Sequence, residues 1–266
     1  MKLSRRQFVK TGALFLPMVA TGQDIVPNRR MAFTKASTNG LLNSLISYWK
    51  FDVNVSPYAD SVGGNPLTGT STSAGVVAGI INGGLDVSLG GSFASHVDNS
   101  DFSPAANTSI SFSLWISASN WAASPGNGFL LLKGDDATLN SYEIFSSGVG
   151  GPIRGLVQDT NSTLAQGNFV ATPTNNVFHH FVIVFDSAGL QGRGYYDGAL
   201  AWSGPLTSGS MKIGAQVFTL GVRAGNPSIA NLTMDEMAMW HKALTQTDVT
   251  NLFNGGAALP LSGFAL

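Results

Sequence analysis

The chain of 266 residues contains no cysteine. Disulfide bonds and thiolate metal sites are therefore excluded, and stability has to come from the burial of apolar side chains. A chain of this length can bury a sizeable core without covalent cross-links.

Charged side chains are scarce as well. They make up 11% of the residues and leave a net charge of −1, whereas about a quarter of the residues are charged in an average soluble domain. We therefore expect no basic surface that would attract nucleic acid or an anionic membrane. Glu143 and Glu236 are the only glutamates in the sequence. The 32 glycines fit a turn-rich β-protein.

Short runs rich in β-branched and aromatic residues recur between Gly, Asn, Pro and Ser turns from residue 44 onward, which is typical of a β-sandwich. The run 109–117 alternates most clearly, with an apolar residue at every even position. An Asp197-Gly198 pair predicts a hairpin turn. Strands are predicted at 45–51, 84–89, 93–97, 109–117, 129–132, 142–145, 153–157, 177–185, 194–196, 212–221 and 232–240.

One helix is predicted at 248–253. Thr245 and Asp248 have the spacing of an N-cap pair, and Gly255 stands where a C-cap glycine belongs. Many short strands with a single small helix predict an all-β fold, a two-sheet antiparallel jelly-roll sandwich with one short C-terminal helix.

The N-terminus resembles a twin-arginine export signal in the segment Ser4-Arg5-Arg6-Gln7-Phe8-Val9-Lys10. An apolar segment at 13–20 follows, too short to span a bilayer, and small residues precede Gln23. The alternative is the basic, amphipathic start of a cytoplasmic protein. We predict a signal peptide at 1–22, a linker at 23–43, a sandwich domain at 44–256 and a tail at 257–266. Export to the periplasm or the extracellular space follows, without membrane insertion of the mature chain.

Six segments of the sandwich region, in this order, carry a family resemblance. They are Tyr48-Trp49-Lys50-Phe51-Asp52, 60–65, 111–116, 178–186, Tyr195-Tyr196-Asp197-Gly198 and 234–245. Together they resemble the laminin G-like, concanavalin A-like jelly-roll family. The resemblance implies a domain that binds sugars, proteins or calcium. It also implies that catalysis is less expected than binding, because only some relatives are catalysts.

The resemblance also implies one structural calcium ion. Calcium takes six to eight oxygen ligands, and the residues that match the family site are Asp52, Asp60, Asn65 and Asp235. The alternative is that Asp60 and Asn65 cap a turn and that Asp235 pairs with a neighbouring polar group.

A polysaccharide lyase or hydrolase is the less favoured reading. Glycosidases need two carboxyl groups across the scissile bond, and Asp235 and Glu236 would point to opposite faces of a regular strand. A lyase would use His179 or His180 with Tyr195, although the two histidines match a family strand. We therefore predict no catalytic residue.

Three aromatic residues, Tyr58, Trp121 and Trp202, lie in Gly/Ser/Pro-rich segments that we expect to be loops. We predict that they are exposed and stack on sugar rings, although the two tryptophans would alternatively pack at an end of the sandwich. The predicted function is a secreted, non-catalytic recognition module that binds a glycan or another cell-surface or matrix component. A structural or adhesive protein of an envelope, matrix or virion surface is the alternative.

Overall fold

The structure is a computed structural model that describes residues 40–53, 55–70, 77–87, 93–123, 128–134, 140–148, 150–221 and 232–261. The predicted export signal and residues 23–39 of the predicted linker lie outside the described residues. None of the described helices is long and apolar enough to cross a bilayer.

The described residues form β-strands and a short α-helix near the C-terminus. The strands are Leu45–Trp49 (β1), Thr68–Thr70 (β2), Val77–Ala78 (β3), Gly83–Asp86 (β4), Phe93–His96 (β5), Ile110–Ala118 (β6), Phe129–Gly134 (β7), Asn140–Ser146 (β8), Ile153–Gln158 (β9), Leu164–Val170 (β10), His179–Asp186 (β11), Gln191–Tyr196 (β12), Ala199–Pro205 (β13), Phe218–Leu220 (β14) and Leu232–Trp240 (β15). The helix is Gln246–Phe253 (α1), and short 3-10 turns occur at Trp121–Ala123 and Asn254–Gly256.

The strands make two antiparallel sheets, which confirms the predicted fold class. The first sheet has the order β13-β12-β11-β6-β15-β4-β3, with β1 also paired to β15. The second sheet has the order β10-β9-β8-β7-β14-β5-β2. The predicted strand 212–221 is confined to β14, and the sequence patterns did not predict β2, β3, β10 and β13.

The main core lies between the two sheets, and the predicted alternation of β6 explains which residues enter it. Ile110, Phe112, Leu114 and Ile116 all belong to this core, because alternate residues of a strand point to the same face. The intervening serines and Trp115 are also buried, so the outer face of β6 is covered as well.

A second apolar cluster covers that outer face. It joins Leu41, strand residues such as Tyr48 and Trp240, and Val249 and Leu252 of α1. The helix begins with the predicted capping box, in which Thr245 and Asp248 bond each other's backbone N–H. It ends at Asn254 in a left-handed conformation, one residue before the predicted Gly255.

Strand β15 changes partner along one of its edges. Thr233 and Met234 pair with β4, whereas residues 237–240 pair with β1. The register against β6 shifts between Asp235 and Ala238, and Glu236 has a φ of 48°. This bulge interrupts the strict alternation that would have separated the side chains of Asp235 and Glu236.

Candidate functional site

The three aromatic side chains predicted to be exposed are buried. Tyr58 is 2% exposed, Trp121 1% and Trp202 7%. Tyr58 packs edge-on against Phe51, with ring centroids 5.8 Å apart, and Trp121 donates its indole N–H to the carbonyl of Thr174 at 3.2 Å. The prediction of exposed stacking platforms was therefore wrong, because these rings fill gaps in the sandwich instead of lining its loops.

Trp202 lies on β13, an edge strand, and its ring enters the space between the sheets. Gly192 and Gly194 of β12 and Gly155 and Gly167 of β9 and β10 surround it. A Cβ added to any of the four would lie within 3.5 Å of Trp202 atoms. We call these four glycines the glycine socket. A side chain at position 155, 167 or 194 would press on the indole, since its Cβ would lie 2.0–3.0 Å from Trp202 atoms. A Cβ at position 192 would reach Trp202 only at 3.5 Å and would instead clash with Val157 and Ala165 at 2.5 Å.

Two of the predicted calcium ligands cap a loop. Asp60 accepts hydrogen bonds from the backbone N–H of Tyr48 and Val62 at 2.9 and 3.0 Å and from that of Asn65 at 3.3 Å. The side-chain N–H groups of Asn65 donate to Ser47 Oγ and Asp101 Oδ2, both at 2.9 Å. These contacts match the turn-capping alternative.

The other two predicted ligands lie near the bulge of β15. Asp235 accepts the backbone N–H groups of Ile81 and Glu236 at 3.0 and 2.8 Å. Asp52 adds to the negative potential at Glu236, and its Oδ1 is buried without a hydrogen-bond partner. Among the described residues, no group of three or more His, Cys, Asp or Glu side chains is placed to hold a metal ion. The predicted ligands are thus not gathered around one point, and calcium binding stays a prediction.

The two acids of the bulge have raised pKa values. Burial is the main cause in both cases, and it raises the pKa of Asp235 to about 8 and that of Glu236 to about 7. The hydroxyl of Tyr48 donates to Glu236 Oε2 and accepts the backbone N–H of Leu261 at 3.3 Å. The Tyr48 hydroxyl therefore links β1 to Glu236 of β15 and to the C-terminal segment.

Stability is expected to fall as the pH rises through this region. Both acids keep their protons in the folded protein at a pH where the unfolded chain has lost them, so the folded state binds more protons and unfolding is favoured by raising the pH. The loss begins near pH 4, ends near pH 8 and amounts to a few kcal/mol. Thermal unfolding in chelator from pH 4.5 to 9 measures it.

The matched variant for this pH dependence is Glu236→Gln. A glutamine keeps an oxygen that can accept the Tyr48 hydroxyl but cannot ionise. We expect the fall in Tm between pH 4.5 and 7 to become shallower in this variant. An unchanged slope would contradict the role of Glu236. Buried His180, whose pKa is lowered, opposes the two acids below about pH 6.5. A wild-type Tm that rises between pH 6.5 and 8 would therefore contradict both raised pKa values.

His179 is held by its neighbours on both ring nitrogens. Its Nδ1 lies 2.8 Å from Asp197 Oδ2 and 2.7 Å from the hydroxyl of Tyr196. Its Nε2 accepts the backbone N–H of Thr174 at 3.1 Å. Because Nε2 accepts a hydrogen bond, the ring proton lies on Nδ1, facing Asp197. The ring connects the segment before β11 to the hairpin after β12.

His180 is fully buried on the outer face of the first sheet. Its ring packs against Trp115 and Phe253, with centroids 5.0 and 6.2 Å away, and these two rings also stack on each other at 5.7 Å. Its Nε2 lies 2.7 Å from Ser113 Oγ. Burial lowers the pKa of His180 to about 3. Tyr195, the predicted partner in a lyase, is 3% exposed. Neither histidine is thus open to a polysaccharide in the described structure.

A surface of hydroxyl and amide groups, which the sequence patterns did not single out, occurs where the β9–β10 turn meets the segment after β13. We call it the polar platform. Its side chains are exposed or half-buried, and its members are Thr160, Asn161, Ser162, Thr163, Thr207 and Ser208.

A buried carboxylate organises the polar platform. Asp159 is fully buried and accepts the backbone N–H groups of Thr163, Thr207 and Ser208 at 2.7–2.8 Å. It also accepts the Thr207 hydroxyl at 3.0 Å. Although burial acts to raise the pKa of Asp159, these N–H donors outweigh it and hold the pKa below its usual value. The two segments are therefore fastened to each other before any ligand binds.

Further bonds tie the polar platform together at its surface. Thr163 Oγ1 lies 2.6 Å from Thr207 Oγ1, and Thr160 Oγ1 lies 2.8 Å from Ser208 Oγ. The side-chain N–H of Asn161 donates to Thr207 Oγ1 at 3.3 Å. Such an array offers many closely spaced hydrogen-bonding groups, which is the chemistry that recognises sugar hydroxyls.

The comparisons with known proteins agree with this architecture. The family described as Laminin_G_3, concanavalin A-like lectin/glucanases superfamily, matches residues 89–250. The chain belongs to this superfamily. No curated protein matches the sequence of this laminin G-like chain.

Solved structures share the fold of this laminin G-like chain at low sequence identity. The botulinum neurotoxin serotype D binding domain is 14% identical with a TM-score of 0.65, over 83% of this chain and 53% of that one. The binding domain of Paraclostridial Mosquitocidal Protein 1 is 15% identical with a TM-score of 0.63, over 81% and 53%. A third structure comes from botulinum neurotoxin type C, a toxin whose cell entry depends on interaction with two ganglioside molecules. It is 14% identical with a TM-score of 0.62, over 81% of this chain and 52% of that one. This laminin G-like chain spans about half the length of these proteins.

Proposed function

We propose that this protein is an exported, non-catalytic recognition module that binds glycans on the polar platform. The observation that carries the proposal is the pair of segments fixed by Asp159, which displays hydroxyl and amide groups in a preset arrangement. A site whose polar groups are already positioned loses less entropy when it binds a ligand.

Two further observations support recognition without catalysis. His179 and His180 are buried in structural contacts, and the two acids of the β15 bulge are buried against β1 and the 80–81 backbone. The superfamily description includes lectins. Among the structural neighbours, one neurotoxin domain was solved in complex with N-acetylneuraminic acid.

Isothermal titration against a panel of oligosaccharides tests the glycan proposal, and Asn161→Ala is the informative variant. We expect it to weaken binding about tenfold, because one hydrogen bond contributes on the order of 1 kcal/mol. Asn168→Ala is the matched control, since this exposed asparagine lies on β10 outside the platform. Binding to no member of the panel would remove the glycan proposal, and equal effects of the two variants would move the site elsewhere.

Calcium binding and export are separate proposals. The same titrations run with chelator and with added calcium test the first, and a calcium-dependent rise in Tm would support it by mass action. Mass determination of the protein recovered outside the cytoplasm tests whether residues 1–22 are removed.

An adhesive role remains the second candidate because aliphatic side chains are exposed near one end of the second sheet. Val97 is 69% exposed, Val217 47% and Ile213 45%. The register in which His96 pairs with Phe218 places Val97 and Val217 opposite each other at the ends of β5 and β14. Light scattering tests this candidate, since self-association that is lost in Val97→Ser/Val217→Ser would favour protein contact over glycan binding.

A further inference from the structure

We propose that Asp159 fixes the direction of the hydrogen bonds around Thr207 in the polar platform, so that Thr163 and Asn161 present acceptor atoms and the platform selects neutral saccharides through their hydroxyl donors. This inference rests on the proposed function and names the ligand class of the same site. It depends on where each hydroxyl proton must point.

The carboxylate of Asp159 sets the donor and acceptor roles in this chain of hydrogen bonds. An ionised carboxylate can only accept hydrogen bonds, so the single hydroxyl proton of Thr207 is committed to Asp159 Oδ2, 3.0 Å away. Thr207 Oγ1 is then left with its two lone pairs and no proton to offer. Every other contact of this oxygen has to come from a donor.

Two donors fill those lone pairs. Thr163 Oγ1, 2.6 Å away, must give its own proton to Thr207. The side-chain amide of Asn161 must turn its N–H toward Thr207, in agreement with distances of 3.3 Å to Thr207 Oγ1 and 3.4 Å to the Thr207 carbonyl. The hydroxyl proton of Thr163 and the N–H group of the Asn161 amide are therefore both engaged with Thr207.

On Thr163 and Asn161, the atoms left for a ligand are acceptors. Thr163 Oγ1 keeps only lone pairs, and Asn161 Oδ1 points away from Thr207 as the acceptor end of an exposed amide. Sugar hydroxyls can donate to both atoms. A carboxylate or a sulfate cannot, because it would place acceptor against acceptor and lose bonds to water without replacement.

One cation, Lys212, lies beside the platform and has to be weighed against this pattern. Its Nζ donates to Ser162 Oγ at 3.3 Å, and Lys212 and Asp159 are the only ionisable residues in 158–163 and 206–217. An exposed ion pair with Lys212 would contribute little and would weaken with salt. Ser162 and one member of the Thr160–Ser208 pair keep a hydroxyl proton, which can bind a neutral or an anionic ligand equally. The acceptor atoms of Thr163 and Asn161 therefore decide between the two ligand classes.

Calorimetric titration with matched saccharide pairs tests the inference, each pair consisting of a neutral oligosaccharide and its sialylated or sulfated counterpart. We expect the neutral member to bind at least about tenfold more tightly, with an affinity that is independent of salt. Thr163→Val removes the acceptor oxygen together with its bond to Thr207 and keeps the backbone N–H that binds Asp159, so neutral binding should fall about tenfold. Thr163→Ser should restore it.

The control is Thr172→Val, at an exposed position in the segment between β10 and β11, which should bind as the wild-type protein does. Tighter binding of the acidic member, weakened by salt and by Lys212→Met but not by Thr163→Val, would overturn the inference and leave the proposed function intact. Binding of neither member would overturn both.

Discussion

Trp202→Ala is expected to lower the free energy of unfolding by about 3–5 kcal/mol, as truncation of a buried tryptophan usually does. The indole is 7% exposed and packs edge-on against Phe169, with ring centroids 6.0 Å apart. The glycine socket has no side chains that could move in to fill the cavity. Urea unfolding, with the m-value checked for constancy, measures the loss.

The glycine socket also requires that its own positions stay free of side chains, which Gly194→Ala tests. A Cβ at this position would lie 2.0 Å from Trp202 Nε1 and 2.7 Å from Phe169 Cε1. We expect a loss of about 1–3 kcal/mol, because both rings are confined between the sheets. Gly64→Ala is the matched control, since a Cβ there would meet nothing within 4 Å and its effect should stay within about 0.5 kcal/mol.

The double variant Gly194→Ala/Trp202→Ala separates the clash from other effects of the alanine. Without the indole the added Cβ has room, so the double variant should be more stable than the sum of the single changes predicts. Additive losses would contradict the socket, as would a Gly194→Ala protein as stable as Gly64→Ala.

The strands that the sequence predicted are those with a clear pattern. In β6, apolar residues alternate with serines, and the core takes Ile110, Phe112, Leu114 and Ile116 as expected. Strands β10 and β13 gave no such signal. The sequence of β10 carries Gly167 at its centre, and that of β13 ends in Ser-Gly-Pro, which are turn residues in most contexts.

The same cause explains the error at Trp202. Its neighbours in sequence are typical of a loop, whereas the residues that make room for it come from three other strands, at positions 155, 167, 192 and 194. Glycines at these positions look like turn or flexibility signals when each is read alone. Only strand pairing shows that they share one cavity.

The polar platform was partly visible in the sequence. Asp159 followed by Thr160, Asn161, Ser162 and Thr163 is a run of turn-forming residues, which locates the β9–β10 turn. The other half, Thr207 and Ser208, lies 48 and 49 residues from Asp159. No short-range pattern connects the two halves, so the sequence could predict the turn but not the site.

A buried lysine holds two loops together at the end of the second sheet. The Nζ of Lys133 donates to the carbonyls of Gly214 and Gln216 at 2.7 and 2.8 Å and lies 2.8 Å from Asp98 Oδ1. All three ammonium protons are thus used. Burial lowers the pKa of Lys133, and Asp98 partly offsets this effect.

Lys133→Met is therefore expected to cost about 3 kcal/mol of unfolding free energy, although methionine fills a similar volume. The change leaves two carbonyls and a carboxylate without their donor, and unpaired polar groups are expensive when buried. Water can reach Asp98, whose side chain is 26% exposed, and Gly214 and Gln216 are half-buried, so the loss stays near the lower end for a broken buried pair. Denaturant unfolding measures it, and Lys212→Met on the surface, with an expected effect below about 0.5 kcal/mol, is the control. Equal stability of the two variants would show that the ammonium does not hold these loops.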